Sequence, residues 1–284
     1  MSKVFSELAR DHAITEIALP VMGFEATEER ERPSGSAVLV APNLAVTALH
    51  VIQDYRRFFE ERELSLTSTG DMAFAVILHQ YRDGRLFSWR AVRMRTAEPL
   101  DVALLELIPT HPLPRDFTWR LPKLQLTPPK VGVRVQAIGY PHSLIREHSN
   151  DKWWEQTPVV STGIVREVHV RQRDAGMNRF PCFQTDARFD GGMSGGPVFT
   201  ADKSLCGIVC SSLPPSDVAD EHASYASLLW PLMGLYVSAE PGRVESTELV
   251  RFRDLVSDGR LFVRDPHVVT FDEQNGTVSL LTSG

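Results

Sequence analysis

Apolar residues recur in short runs along most of the chain, and turn-forming residues separate these runs. In the first half the runs read SAVLVA, LAVTAL, MAFAVILHQ, WRAVRMRT and DVALLELI, starting at residue 36. In the second half they read VRVQAIGY, VVSTGIVREVHV, RFPCFQTDA, GGPVFT, LCGIVCSS and SYASLLW. Short runs with β-branched residues between turn signals are typical of strands. The pattern therefore predicts an all-β barrel or sandwich.

Helical spacing is confined to a few segments. Residues 2–11 and YRRFFEERE at 55–63 are predicted as short helices, whereas AITEIALPVMGF is predicted as a strand and residues 25–35 as a charged loop. Near the end, STELVRFRDLVSD places Leu249, Phe252 and Val256 at helical spacing. The segment HVVTFDEQNGTVSLL after it predicts a hairpin that turns at Asn275-Gly276.

A proline-rich stretch, HPLPRDFTWRLPKLQLTPPK, separates the two series of strands and is the best candidate for a linker. The 284 residues exceed the usual length of one domain. We therefore predict a first barrel with an N-terminal strand in residues 1–125, a second barrel in 126–235, and an extension of helix and hairpin in 236–284.

Composition and charge narrow the function classes. The net charge is −6, so no overall basic field is present to hold a nucleic acid, and no apolar stretch approaches the roughly 20 residues of a membrane helix. The N-terminal residues do not resemble a signal peptide. Of the three cysteines, Cys206 and Cys210 would lie roughly 13 Å apart in one strand, too far for a disulfide. We therefore expect reduced thiols and a cytoplasmic protein without membrane or nucleic-acid partners.

The segment GGMSGGPVF is the strongest candidate for chemistry. Glycines on both sides of Ser194 allow a tight turn in which the amides of Gly192 and Ser194 point toward one spot. Those amides would stabilise the oxyanion that forms when Ser194 attacks a carbonyl group. Taken alone, the same pattern also fits a glycine-rich turn with an uninvolved serine.

A serine nucleophile needs a base, and the base needs a carboxylate to orient it. His50 closes the apolar segment LAVTALH at a strand end, and Asp101 leads directly into the apolar run VALLEL. An isolated histidine or aspartate at such positions is more often structural. Asp54, about one helical turn beyond His50, is the weaker alternative to Asp101.

TALHV, DVALLEL and GGMSGGPVF together resemble the three signature segments of the trypsin/chymotrypsin superfamily, in the order His, Asp, Ser. AIGYP and QTDARFDGGMSGGPVF are most similar to segments of bacterial trypsin-like and HtrA-like peptidases. The resemblance covers residues 14 to 235 approximately. It implies two six-stranded antiparallel β-barrels of the chymotrypsin type, with His50 as general base, Asp101 as its orienting partner and Ser194 as nucleophile.

The chain departs from that family in two places. Secreted trypsin-like zymogens carry an aspartate just before the serine, where this chain has Met193, so activation by N-terminal cleavage is not expected. No segment of PDZ size follows the second barrel. A peptidase that acts in the cytosol without these controls is expected to be regulated by a protein partner or effector. The extension in residues 236–284 is a candidate docking element for it.

The resemblance also implies where a substrate side chain binds. Arg188, six residues before Ser194, would favour an acidic side chain if it points into the pocket, and would be a surface residue if it points outward. The small residues Cys210 and Ser212, on the strand that pairs with substrate, would leave the pocket open.

The sequence thus predicts a serine endopeptidase that acts on protein or peptide substrates through an acyl-enzyme. It requires no cofactor or metal, since no zinc-binding or phosphate-binding motif is present. The alternative is a catalytically silent interaction module on a peptidase fold.

Overall fold

The computed structural model describes residues 5–25, 30–53, 74–97, 99–141, 143–148, 151–176, 178–213 and 223–281. The helix expected at residues 55–63 lies outside these ranges. Among the described residues, no helix has the length and apolar character needed to span a bilayer.

The first half of the chain forms a closed barrel of six antiparallel strands, preceded by a two-residue strand, β1 (Ser6–Glu7). The barrel strands are β2 (Ala18–Glu25), β3 (Arg30–Ala41), β4 (Leu44–Thr47), β5 (Phe74–Arg82), β6 (Arg85–Thr96) and β7 (Ala103–Pro109). Around the barrel they run β2-β3-β4-β7-β6-β5 and return to β2. A single helical turn, α1 (Leu49–Ile52), follows β4.

The second half contains another closed barrel and a separate hairpin. Its strands are β8 (Lys123–Leu124), β9 (Arg134–Gly139), β10 (Leu144–His148), β11 (Asp151–Glu155), β12 (Val159–His169), β13 (Cys182–Thr185), β14 (Pro197–Thr200), β15 (Ser204–Leu213) and β16 (Ala223–Ser227). The ring runs β9-β12-β13-β16-β15-β14, and β14 pairs with β9 to close it. The predicted pair of six-stranded antiparallel barrels is therefore confirmed, while the β10–β11 hairpin was not predicted.

Strand β7 shows how the apolar pattern builds two cores at once. Because successive side chains of a strand point to opposite faces, alternate residues of β7 pack into different clusters. Leu105 and Leu107 lie in the interior of the first barrel. Leu104 faces a core shared with Ile208 of the second barrel and Phe252 of the C-terminal extension. All five residues are fully buried, so β7 carries apolar residues on both faces, and its one charged residue, Glu106, is buried as well.

The N-terminal segment differs from the prediction. The described part of residues 2–11 is not helical, because Ser6 and Glu7 pair with Val160 and Val159 of the second barrel. Pairing with the edge of β12 satisfies backbone groups that a short isolated helix could not keep bonded in water. Similarly, β3 begins at Arg30, so the charged loop predicted for residues 25–35 is partly strand.

The C-terminal extension contains β17 (Tyr236–Ser238), β18 (Leu249–Arg251), the helical turn α2 (Asp254–Ser257), β19 (Val269–Asp272) and β20 (Thr277–Leu280). The hairpin is confirmed, and Gly276 has the positive φ of 64° that its turn requires. The predicted helix shrinks to one turn, because Leu249 pairs with Ser238 as a strand.

A buried carboxylate ties this extension to the first barrel. Glu106 of β7 has no exposed surface and accepts hydrogen bonds from Ser238 N at 2.9 Å and Ser238 Oγ at 2.6 Å. Arg93 donates to the same carboxylate at 3.1 Å and also to the backbone carbonyls of Arg243 and Val244. A charge is buried here only because it is paired and fully hydrogen-bonded.

Candidate active site

His50 and Asp101 meet because their strands are neighbours. Strands β4 and β7 pair, with Thr47 opposite Ala103, so the residues just beyond these strand ends lie side by side. His50 Nδ1 lies 2.8 Å from Asp101 Oδ2, and the His50 backbone N–H donates to Asp101 Oδ1 at 3.1 Å. A carboxylate only accepts hydrogen bonds, so the His50 ring donates from Nδ1 and keeps Nε2 available as an acceptor. Asp54, the weaker alternative, lies outside the described residues.

Ser194 occupies a turn whose shape is fixed by its own backbone. Met193 N donates to Asp190 O at 3.0 Å, and Gly196 N donates to Met193 O at 2.9 Å. Gly192 and Gly195 have φ values of 91° and 83°, a region that residues with a Cβ rarely adopt. The glycines that marked this segment in the sequence are therefore required by its conformation.

The turn packs directly against the first barrel, close to His50. A Cβ placed on Gly195 would lie 2.0 Å from Ser36 O and 2.2 Å from Thr47 Oγ1. The same position is 2.9 Å from Ala48 N, two residues before His50. Only glycine permits this approach of the two barrels, which brings the turn of Ser194 against the strand end that leads to His50.

The Ser194 hydroxyl is oriented toward Cys210 in this structure. Ser194 Oγ donates to Cys210 O at 3.4 Å, and within the described residues it makes no hydrogen bond with His50. Cys210 Sγ donates to Asp101 O at 3.7 Å. Cys210 therefore contacts Ser194 on one side and Asp101 on the other, and it joins the three predicted residues in one cluster.

The two predicted oxyanion donors are the backbone amides of Gly192 and Ser194. The Met193 carbonyl and the Ser194 N–H belong to one trans peptide group, in which N–H and C=O point in opposite directions. Because Met193 O accepts a hydrogen bond from Gly196 N, the Ser194 N–H points away from Gly196. Among the described residues, neither Gly192 N–H nor Ser194 N–H donates to a protein acceptor. Both amides thus remain able to bind a ligand oxygen.

A cavity of about 420 Å³ opens beside Ser194, and all three predicted substrate-binding residues line it. The full lining is Arg188, Phe189, Asp190, Gly191, Ser194, Val209, Cys210, Ser211 and Ser212. Arg188 Nε donates to Asp190 Oδ1 at 2.7 Å, which raises the pKa of the guanidinium. The arginine therefore faces the cavity with its charge already compensated.

Asp190 was not predicted from the sequence. It lies two residues after Arg188 in a segment that belongs to no strand, so strand periodicity gave no signal for the pair.

Cys210 is the other group that could act as a nucleophile in this cluster, and its environment argues against that role. Burial and the nearby charge of Asp101 raise the pKa of its thiol well above 9.0. The thiolate is the reactive form, so a thiol held neutral is inert. All three cysteines are buried, and none of them forms a disulfide.

A histidine–carboxylate pair at the end of one six-stranded barrel, beside a serine in a glycine-lined turn of a second, places the protein in the chymotrypsin-like fold class. Residues 35–208 match the family model of the trypsin-like peptidase domain, and the chain belongs to that family. A search of curated protein sequences finds no match.

Two solved structures are similar over 76% of this chain. The Rv3671c protease in its inactive form is 18% identical over 85% of that chain, with a TM-score of 0.43. The MamO protease domain from Magnetospirillum magneticum, in its apo form, is 16% identical over 94% of that chain, with a TM-score of 0.47.

Proposed function

We propose that the protein is a serine endopeptidase that cleaves protein or peptide substrates through an acyl-enzyme at Ser194. The observation that carries the proposal is the bond between His50 Nδ1 and Asp101, made beside the glycine-lined turn that holds Ser194. This arrangement supplies a nucleophile, a base and an orienting carboxylate.

The proposed reaction begins with a rotation of Ser194. Its hydroxyl turns from Cys210 O toward His50 Nε2, which takes the proton as Oγ attacks the substrate carbonyl carbon. The oxyanion is bound by the amides of Gly192 and Ser194, and each donor contributes about 3 kcal/mol in comparable enzymes. The imidazolium, stabilised by Asp101, then protonates the leaving amine.

Hydrolysis of the acyl-enzyme repeats these steps with water. His50 accepts a proton from the water molecule as its oxygen attacks the acyl carbon, and it returns that proton to Ser194 Oγ when the ester bond breaks. The enzyme is regenerated, and neither step requires a metal or a cofactor.

We place the substrate along β15. Strand β14 pairs with β15 only as far as Ile208, so Ser211 and Ser212 present an edge to which an extended peptide can add by backbone hydrogen bonds. The side chain preceding the cleaved bond would enter the cavity lined by Arg188, Cys210 and Ser212. Because the carboxylate of Asp190 neutralises the charge of Arg188, we propose that this cavity prefers a neutral substrate side chain. Enrichment of Asp or Glu at this position in a cleaved peptide library would contradict that preference.

We further propose that the enzyme works in the reducing cytoplasm under the control of a partner or effector. Buried, unpaired cysteines support a reducing compartment. Met193 has no carboxylate that could pair with a newly cleaved N-terminus, and its side chain is fully buried in the core of the second barrel. Rapid cleavage of unfolded casein by the purified protein, without additions, would count against such control.

The alternative is an inactive interaction module, and the orientation of the Ser194 hydroxyl toward Cys210 O favours it. The two functions are separated by prolonged incubation of concentrated protein with a peptide library. The endopeptidase proposal expects cleavage that disappears in Ser194→Ala and His50→Ala and persists in Ser246→Ala, a serine of the C-terminal extension. Cleavage that persists in Ser194→Ala would contradict it.

A further inference from the structure

Ser36 connects the first barrel to the turn that carries Ser194. It lies in β3, has no exposed surface, and uses all of its polar groups. Its hydroxyl donates to Gly192 O at 2.7 Å and accepts from Tyr140 N at 3.1 Å. Its backbone N–H donates to Ser194 O at 2.8 Å, and its carbonyl accepts from Thr47 Oγ1 at 2.7 Å.

These bonds hold the peptide groups on both sides of the Ser194 amide. The peptide between residues 192 and 193 is held at its oxygen by Ser36 and at its nitrogen by Asp190 O. The peptide between residues 194 and 195 is held at its oxygen by Ser36 and at its nitrogen by Val209 O, at 2.8 Å. A residue of the first barrel therefore fixes two of the peptide planes in the nucleophile turn of the second.

The Ser36 hydroxyl is bonded to Gly192 at the start of the nucleophile turn. Among the described residues, none has an atom within 4 Å of the place where a Cβ of Gly191 would be, so none of them packs against the start of the turn at that point. The Gly192 carbonyl accepts the bond from Ser36, and a Cβ on Gly192 would lie 2.7 Å from Tyr140 O. Without the hydroxyl, the Gly192 carbonyl and the Tyr140 amide lose their shared hydrogen-bond partner. A buried polar group without a partner costs free energy, so the turn is expected to shift until both groups are bonded again.

We infer that Ser36 is a positioning residue for the oxyanion donors. Its hydroxyl fixes the carbonyl of Gly192 so that the amides of Gly192 and Ser194 converge on the substrate oxygen. The inference rests on the proposed peptidase function, since the donors have this role only in acyl transfer. Ser36 acts through the turn and touches no reacting atom.

The test compares Ser36→Ala with Ser36→Thr, which keeps the hydroxyl, and with Thr47→Val. Thr47→Val is a matched control because it removes a different buried hydrogen bond to Ser36 and leaves the bond to Gly192 O intact. Each variant is first shown to be folded by its thermal midpoint. Then kcat and KM are measured on a peptide that the parent cleaves, together with the affinity for a peptide aldehyde, which forms a tetrahedral adduct with the serine.

We expect Ser36→Ala to lower kcat about tenfold to a hundredfold, less than the roughly 10²–10³-fold loss on removing a donor itself. KM should stay near the parent value, aldehyde affinity should fall in parallel with kcat, and Ser36→Thr should restore both. A kcat for Ser36→Ala equal to that of the parent would overturn the inference. So would an equal loss of kcat in Thr47→Val at the same thermal midpoint, because the role would then be purely structural.

Amide hydrogen exchange of residues 191–196 separates this inference from the proposed function. Exchange in this segment should be faster in Ser36→Ala than in Thr47→Val and the parent, whether or not the protein cleaves peptides. If exchange responds in this way but the parent shows no cleavage that depends on Ser194, the proposed function is wrong. The conclusion that Ser36 positions the turn is then still supported. If exchange does not change, the inference fails by itself.

Discussion

Replacing Glu106 with leucine should destabilise the protein strongly, although Glu106 lies outside the candidate active site. The substitution removes the acceptor of three hydrogen bonds, from Arg93 Nη1, Ser238 N and Ser238 Oγ, at 3.1, 2.9 and 2.6 Å. Arg93 is 10% exposed and would keep its positive charge without a full counter-charge. Removing one partner of a buried ion pair costs about 3–5 kcal/mol, a large part of the roughly 5–15 kcal/mol that stabilises a typical protein.

Urea unfolding followed by tryptophan fluorescence measures this loss as a lower midpoint at similar slope. Glu248→Gln is the matched control, because Glu248 is an exposed glutamate in the same extension, and its midpoint should not change. The double variant Arg93→Met, Glu106→Leu should be more stable than Glu106→Leu alone, since no unpaired charge remains buried. A Glu106→Leu midpoint equal to that of Glu248→Gln would refute the assignment of Glu106 as the anchor of the extension.

Burial raises the pKa of Cys182 and Cys206 from 9.0 to about 12. Because the pKa is higher in the folded state, the stability present below pH 9 is lost as the pH approaches 12, and alkaline titration should unfold the protein. Reaction of these thiols with a thiol reagent at pH 8 without denaturant would contradict their burial. Gly195→Ala should abolish cleavage and lower the thermal midpoint, whereas Gly191→Ala should keep the midpoint, since its Cβ would meet no atom of the described residues within 4 Å. Equal midpoints would show that the barrels do not meet at Gly195. Asp190→Asn leaves the charge of Arg188 without its carboxylate partner in the cavity, so cleavage of a peptide library should shift toward acidic side chains. An unchanged cleavage profile would show that Arg188 does not contact the substrate side chain.

The sequence predicted the two barrels well because their strands are marked by local signals. The runs VALLEL and AVLVA are strands because they are buried, and the glycines around Ser194 are required by positive φ and close contact. The candidate site could be predicted for a similar reason. His50 and Asp101 each stand just beyond the end of an apolar strand, and those two strands pair.

Features set by distant contacts could not be predicted in this way. Leu249 and Phe252 have helical spacing, yet Leu249 is a strand residue because β17 offers it a partner. Ser36 looks like any small residue in an apolar run, and its importance depends on Gly192, 156 positions away. The compensation of Arg188 by Asp190 likewise depends on rotamers that no local pattern records.

The nucleophilic character of Ser194 is tested most directly by labelling the purified protein with a fluorophosphonate and identifying the modified peptide by mass spectrometry. The reagent reacts with a serine whose hydroxyl is activated by a base, and the adduct resembles the tetrahedral intermediate. We predict a single adduct on Ser194 in the parent, much slower labelling in His50→Ala, and none in Ser194→Ala. An unlabelled parent, or equal labelling of the parent and His50→Ala, would contradict a catalytic role for the pair of His50 and Ser194.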